Sequence, residues 1–213
     1  MRVFLFIDMK SINLAIQKSG RLNNHSLDLL NKCGIKIDNE KDQLKVTSTN
    51  FPIQVFFLRN SDIPKYINDG VVDIAMIGEN ILIEKDLNIR ILKKLGFSKC
   101  KVSIAIPNSK KFNSLKDLHN LKIATSYPNT LRKFLNSQNI KANIHVINGS
   151  VEIAPNIGLS DAICDIVSSG STLYKNNLKE VFVLHESQAV LAINNKLNKF
   201  KEELINRFLF RIN

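Results

Sequence analysis

The 213-residue chain carries a formal net charge of +11, with 44% hydrophobic and 23% charged residues, the balance of a globular protein with enough length for one large domain or two lobes. No apolar run approaches the ~20 residues of a membrane span, and the apolar stretch Val3–Ile7 stops at Asp8, short of a secretory h-region. The lysines are spread along the chain and the few aromatic residues do not interleave with them, which argues against nucleic acid and for a phosphate-rich small substrate.

Short apolar runs alternate with helical patterns almost from end to end, which predicts an α/β fold with a largely parallel sheet. Met9 opens MKSINLAI, a natural first strand with its centre at Ile12–Ile16, so residues 1–8 read as an upstream extension. A helix over Leu22–Cys33 follows, closed by Gly34. Strands are predicted at Leu44–Thr47 and Ile53–Leu58, then a helix at Asp62–Asp69 with Asp62 as N-cap and Pro64 in its first turn. Further strands fall at Asp73–Ile77, Val102–Pro107, Lys122–Ala124, Asn143–Ile147, Ala162–Val167 and Val181–Leu184. Helices are expected at Leu131–Ser137 and Lys196–Ile212. The final helix has no strand after it and must pack on something earlier. A discontinuous first lobe is therefore expected from 9–101 plus 186–213, with a second lobe over 102–185 and a cleft at the two crossings. Such two-lobed α/β proteins resemble the periplasmic-binding-protein (type II) architecture.

Cys33, Cys100 and Cys164 are scattered and form no CxxC pair, which suits a reducing cytoplasm better than a disulfide framework or a zinc site. His25, His119, His145 and His185 are equally dispersed, with no metal-binding spacing.

The most informative stretch is EIAPNIGLSDAICDIVSSGSTL, Glu152–Leu173. Its second half reads as a strand, a small-residue loop and the start of a helix. Asp165 falls near the carboxyl end of the strand, where open α/β sheets place ligands and where a carboxylate suits the hydroxyls of a ribose. Ser168, Ser169, Gly170, Ser171 and Thr172 leave the loop without a bulky side chain, so consecutive N–H groups and hydroxyls can converge on a phosphate. On the loop alone, an ordinary strand-to-helix turn is an equal reading.

The longer spacing decides between them. Glu152, Gly158, Ser160, Ile163, Asp165, Ser168, Gly170, Thr172 and Leu173 match, position by position, the pattern of the ATP phosphoribosyltransferases of histidine synthesis. AIQKSGRL (Ala15–Leu22), DGVVDIAMIGEN (Asp69–Asn80), GFSKCKVSIAIP (Gly96–Pro107) and IATSYPNTL (Ile123–Leu131) are similar to blocks of that family, in the same order. The resemblance covers the chain from about Ile12 to its end.

The resemblance implies a two-lobed transferase with its active site in the interlobe cleft. Adenine N1 would attack C1 of 5-phosphoribosyl 1-pyrophosphate, pyrophosphate leaving with Mg²⁺. It implies Glu152, Asp165 and Ser168–Thr172 as the phosphoribosyl pyrophosphate site. Lys18 and Arg21, in a Gly-containing loop, become the cations that stabilise polyphosphate. Weaker assignments to ATP fall on Ser19, Gly20, Glu79 and Tyr127. Glu79 lies where Gly78–Glu79–Asn80 ends a strand and begins a helix; Tyr127 follows Thr125 and Ser126 at another strand end and packs on a base or on the core. No metal ligands are assigned.

The chain departs from the family at Gln43, where Arg often precedes the leucine, and at Asn60–Ser61–Asp62, where an acidic run keeps only Asp62. It also stops at Asn213, so the resemblance is to a long-form core without its histidine-binding regulatory domain. The expected assembly is a homodimer, with a regulatory partner open. The competing readings are a non-catalytic two-lobed binding module and a subunit inactive without a partner.

Overall fold

The computed structural model describes residues 11–38 and 43–212. The expectations for residues 1–8 and for Met9 lie outside them. Strands β1 (Ile12–Gln17), β2 (Lys45–Thr47), β3 (Ile53–Leu58), β4 (Ile74–Gly78), β5 (Arg90–Lys94) and β6 (Cys100–Pro107) form the first half of the order. Then come β7 (Lys122–Thr125), β8 (Asn143–Val146), β9 (Ala162–Val167), β10 (Leu178–Ser187) and β11 (Ala189–Ile193). The helices are α1 (Arg21–Lys32), α2 (Ile63–Asn68), α3 (Glu79–Lys85), α4 (Pro128–Ser137), α5 (Ser171–Lys175) and α6 (Lys199–Arg211). No helix among the described residues is long and apolar enough to cross a membrane.

The chain divides into two compact units. Of the described residues, one takes those up to Leu82, Leu87–Ser98 and those from Gln188; the other takes Ile83–Asp86 and Lys99–Ser187.

The first unit holds a six-stranded sheet in the order β2-β3-β1-β4-β11-β5. Side chains alternate across its faces, as the two-residue period of a strand requires. Ile12, Leu14 and Ile16 of β1, Ile74 and Met76 of β4, and Leu191 and Ile193 of β11 enter one core with Leu30 of α1 and Leu204, Ile205 and Phe208 of α6. Ala15, Ala75, Ile77, Val190 and Ala192 face the other way, onto Ile63 and Ile67 of α2. The last helix thus packs back on the first strands. Phe208 is fully buried beside Phe51, and the ammonium of Lys201 reaches both carboxylate oxygens of Asp73 at 2.9 and 2.8 Å. Asp73 Oδ2 also accepts the Asn13 N–H at 2.8 Å, so one buried carboxylate ties α6 to β1.

The second unit holds a five-stranded sheet, β10-β6-β9-β7-β8. Ala105, Ala124, Ile163, Val167 and Leu178 face Val151, Ala154 and Leu173 of α5 on one side. On α4, Phe134 meets Phe182 of β10 with ring centroids 5.1 Å apart.

The expectation of a largely parallel sheet is corrected. β1 pairs in parallel with β3 and β4, and β7 with β8 and β9. The remaining pairings, β2 with β3, β11 with β4 and β5, and β6 with β9 and β10, are antiparallel. The chain passes from one sheet to the other between β5 and β6 and returns between β10 and β11. β11 thus joins its sheet without the same-sheet crossover that parallel pairing uses, and runs antiparallel to both β4 and β5.

Asp62 also departs from expectation. It occupies the N-cap position of α2 with helical φ −97° and ψ −25°, and its carboxylate makes no capping bond. A capping side chain needs an extended backbone to reach over the first turn. Asp62 instead accepts the Ser61 hydroxyl at 3.0 Å.

Candidate active site

The stretch from Ala162 folds as strand, loop and helix because its residues favour those states in turn. AICDIV is a strand buried at Ala162–Cys164 and Val167, with Asp165 half-buried and Ile166 exposed, paired through Lys101–Ala105 with β6 and through Ala162–Cys164 with β7. Gly170 ends the loop at φ 74° and ψ −4°, the left-handed region that glycine enters without steric cost. A Cβ built on Gly170 would meet nothing within 4 Å, so the chain leaves open space there. Ser168 and Ser169 are exposed, as are Ser171 and Thr172 at the start of α5. The Ser169 and Ser171 hydroxyls lie 3.0 Å apart.

Asp165 lies on β9 three residues before Ser168, its Oδ1 accepting the Ser126 hydroxyl at 3.0 Å and its own neighbour's N–H, from Ile166, at 2.8 Å. Burial pushes its carboxyl up to about 6; the bonds from Ile166 and Ser126 oppose that, and the negative charge of Glu152 adds to it. Glu152, on the 3-10 turn Val151–Ile153, is thereby coupled to Asp165. The parallel register Thr125↔Cys164 brings Ser126 alongside Asp165. Ser126 was visible in the sequence only as a strand-end residue.

Cys164 is fully buried, and burial pushes its thiol up to about 12. A thiol held neutral and inaccessible is no nucleophile.

Lys18, Ser19, Gly20, Arg21 and Glu79 belong to the first unit. Lys18, Ser19 and Gly20 follow the carboxyl end of β1; Glu79 follows that of β4, its parallel neighbour. Both segments therefore lie at the carboxyl edge of one sheet, where α/β sheets bind ligands. Lys18, Ser19, Gly20 and Arg21 are all exposed. Arg21 opens α1, whose first turn contains no acidic residue, so cationic side chains adjoin the positive helix end. Gly20 is its N-cap at φ 88°. Glu79 is paired with Lys94 at 3.4 Å. Tyr127 takes the core alternative, being only 4% exposed.

Two residues that sequence reading passed over join the loop. Lys101 and Glu180, paired at 3.7 Å, line a cavity of about 290 Å³ together with Ser168, Ser169 and Gly170. The β6–β9 register that carries Lys101 to the loop has no local sequence signal. Among the described residues no group of three His, Cys, Asp or Glu side chains is arranged to hold a metal.

Residues 59–213 match the family model described as ATP phosphoribosyltransferase. A curated ATP phosphoribosyltransferase of Cytophaga hutchinsonii is 50% identical over 201 residues, spanning 94% of this chain and 70% of that protein. One from Parabacteroides distasonis is 48% identical over 200 residues, with 94% and 71% covered. Among solved structures, an ATP phosphoribosyl transferase (HisG:HisZ) complex from Thermotoga maritima aligns with a TM-score of 0.81 at 29% identity, over 94% of this chain and 96% of that one. The alkanesulfonate-binding protein SsuA of Xanthomonas axonopodis pv. citri aligns with a TM-score of 0.60 at 12% identity, over 95% and 72%, and shares the fold of the periplasmic binding proteins alone. The chain belongs to the ATP phosphoribosyltransferase family.

Proposed function

We propose that this chain condenses ATP with 5-phosphoribosyl 1-pyrophosphate, giving N1-(5-phosphoribosyl)-ATP and pyrophosphate, the first step of histidine biosynthesis. The observation that carries the reading is the Asp165-to-Thr172 segment, where a half-buried carboxylate held by Ser126 precedes an open loop with a left-handed glycine. Family membership supports the same assignment.

In this reading the loop from Ser168 to Thr172 takes the 5-phosphate with its N–H groups and hydroxyls, while Asp165, assisted by Glu152, takes the ribose hydroxyls. Ser19, Gly20 and Glu79 belong to the ATP side; Tyr127, being buried, supports its strand end and does not stack on a base. The adenine N1 lone pair forms the new bond to C1 as the C1–oxygen bond breaks, and pyrophosphate departs with that electron pair. N1 is a weak nucleophile, so the rate depends on positioning and on neutralising the departing charge. Arg21 and Lys18 supply that neutralisation. This division of labour needs no acid–base dyad.

Mg²⁺ fits the chemistry of the donor set. It retains waters and binds through one or two carboxylates and substrate phosphates rather than an all-protein cage, and Asp165 with Glu152 offers such a pair. Bound there, it would supply charge neutralisation to the pyrophosphate. The Thermotoga relative is a complex of two polypeptides; by analogy a regulatory partner is proposed for this chain, together with a homodimeric core and a cytoplasmic location.

The product identifies the reaction. Incubation with ATP, phosphoribosyl pyrophosphate and Mg²⁺ should yield, by mass spectrometry, ATP carrying one phosphoribosyl group. Recovery of unmodified ATP would overturn the catalytic reading and leave a binding module.

A further inference from the structure

We propose that Lys101 is a further phosphate-binding residue, held by Glu180 until a phosphorylated ribose draws it to the loop; this rests on reading Ser168–Thr172 as the 5-phosphate cradle. The antiparallel pairing of β6 with β9 sets Lys101 opposite Val167, the residue immediately before the loop. Directly paired residues share one face of a sheet. Their common face opens into the cavity of about 290 Å³, where Ser168, Ser169 and Gly170 form one wall and Lys101 and Glu180 another. Among the described residues Lys101 is the only cation lining it.

The pair that now holds Lys101 is weak. Its nitrogen–oxygen distance of 3.7 Å exceeds the ~2.7–2.9 Å of a good charge-assisted hydrogen bond. The side chains are 45% and 29% exposed, so solvent screens the attraction. A phosphate monoester carries about −1.5 to −2 charges at neutral pH against the single charge of Glu180. The loop contributes N–H groups and hydroxyls to the phosphate but no cation, and Lys101 supplies one when it turns. Glu180 lies beside a register shift in the β10–β6 pairing, between Glu180 and Phe182, where a strand bends away from its ladder. Glu180 is thereby a competitor for Lys101, and its removal should favour the ligand.

Calorimetry with ribose 5-phosphate, phosphoribosyl pyrophosphate and free pyrophosphate tests this, with folding followed by circular dichroism. Lys101→Met should weaken ribose 5-phosphate and phosphoribosyl pyrophosphate about tenfold, the loss of one charge-assisted contact, while leaving pyrophosphate alone. Lys101→Arg should bind both sugar phosphates within about threefold of wild type, since the charge is kept. Glu180→Gln should bind them more tightly. A folded Lys101→Met that binds within about twofold of wild type would overturn the proposal. So would a Glu180→Gln that binds less tightly, which decides the matter even if Lys101→Met does not fold. Equal weakening of pyrophosphate would reduce Lys101 to a diffuse charge, also overturning it. Failure of the wild type to bind ribose 5-phosphate would instead sink the loop assignment itself.

Discussion

Ser126 donates a 3.0 Å hydrogen bond to Oδ1 of Asp165, linking the end of β7 to the strand that precedes the phosphate loop. It helps hold the carboxylate at the level of the loop. Ser126→Ala removes one bond to a charged group, about 1.5 kcal/mol, so phosphoribosyl pyrophosphate should bind roughly tenfold more weakly. Calorimetry with the two proteins checks it; unchanged affinity would show that the bond does not orient Asp165 for the ligand.

The Asp165 carboxyl, pushed up to about 6 by burial, sets two pH dependences of opposite sign. The folded state holds this proton more tightly than the unfolded chain does. Its contribution to stability is therefore full below 3.8, the ordinary value, and is lost as pH rises through about 6. Ligand affinity should rise over the same interval, because the ionised group is the acceptor for ribose hydroxyls. Phosphate titrates near pH 6 as well, so Asp165→Asn is the necessary comparison. The variant should lack the stability loss between pH 4 and 6 in urea titrations and show a shallower rise in affinity. Superimposable pH profiles would contradict the assignment.

Gly170→Val tests the loop. At φ 74° a β-branched residue is strained by about 1–3 kcal/mol. The added side chain meets no protein atom and would occupy the open space assigned to phosphate. Phosphoribosyl pyrophosphate binding should disappear while the protein stays folded. Unchanged affinity in a folded variant would move the phosphate elsewhere.

Much of this architecture was legible locally. Ile53–Leu58 matches β3 because it is a short run of apolar and β-favouring residues bounded by turn residues, and its side chains then alternate in burial. β5 was missed because RILKK is mostly charged and only partly buried, so it has no strand pattern of its own. β11 was missed for the opposite reason: AVLAI is wholly buried, yet Gln188 alone separates it from β10, with no turn signal to divide two strands of different sheets. The site shows the same limit. Asp165 and the loop are contiguous and could be read, whereas Ser126, Lys101 and Glu180 reach the site through strand pairings between distant segments.

Glu84 marks another contact invisible in sequence. Its buried carboxylate accepts the Asn129 N–H at 3.0 Å and the Thr130 N–H and hydroxyl at 2.9 and 2.8 Å, capping α4 from α3. Glu84→Ala strips the first turn of α4 of these acceptors. The cost should be about 2–3 kcal/mol in urea unfolding, from the lost cap and the stranded donors. A change below about 0.5 kcal/mol would mean that water caps α4 equally well.

The central claim is tested most directly by the initial rate of N1-(5-phosphoribosyl)-ATP formation, followed by ultraviolet absorbance with ATP, phosphoribosyl pyrophosphate and Mg²⁺. Wild-type and Arg21→Ala proteins should be compared side by side. The wild type should turn over only when both substrates are present, and the variant should lose about 2–4 kcal/mol of barrier lowering, roughly 30- to 1,000-fold in rate. Its stability should be unchanged, since Arg21 is exposed. A folded wild type that binds both substrates and forms no product would contradict the account.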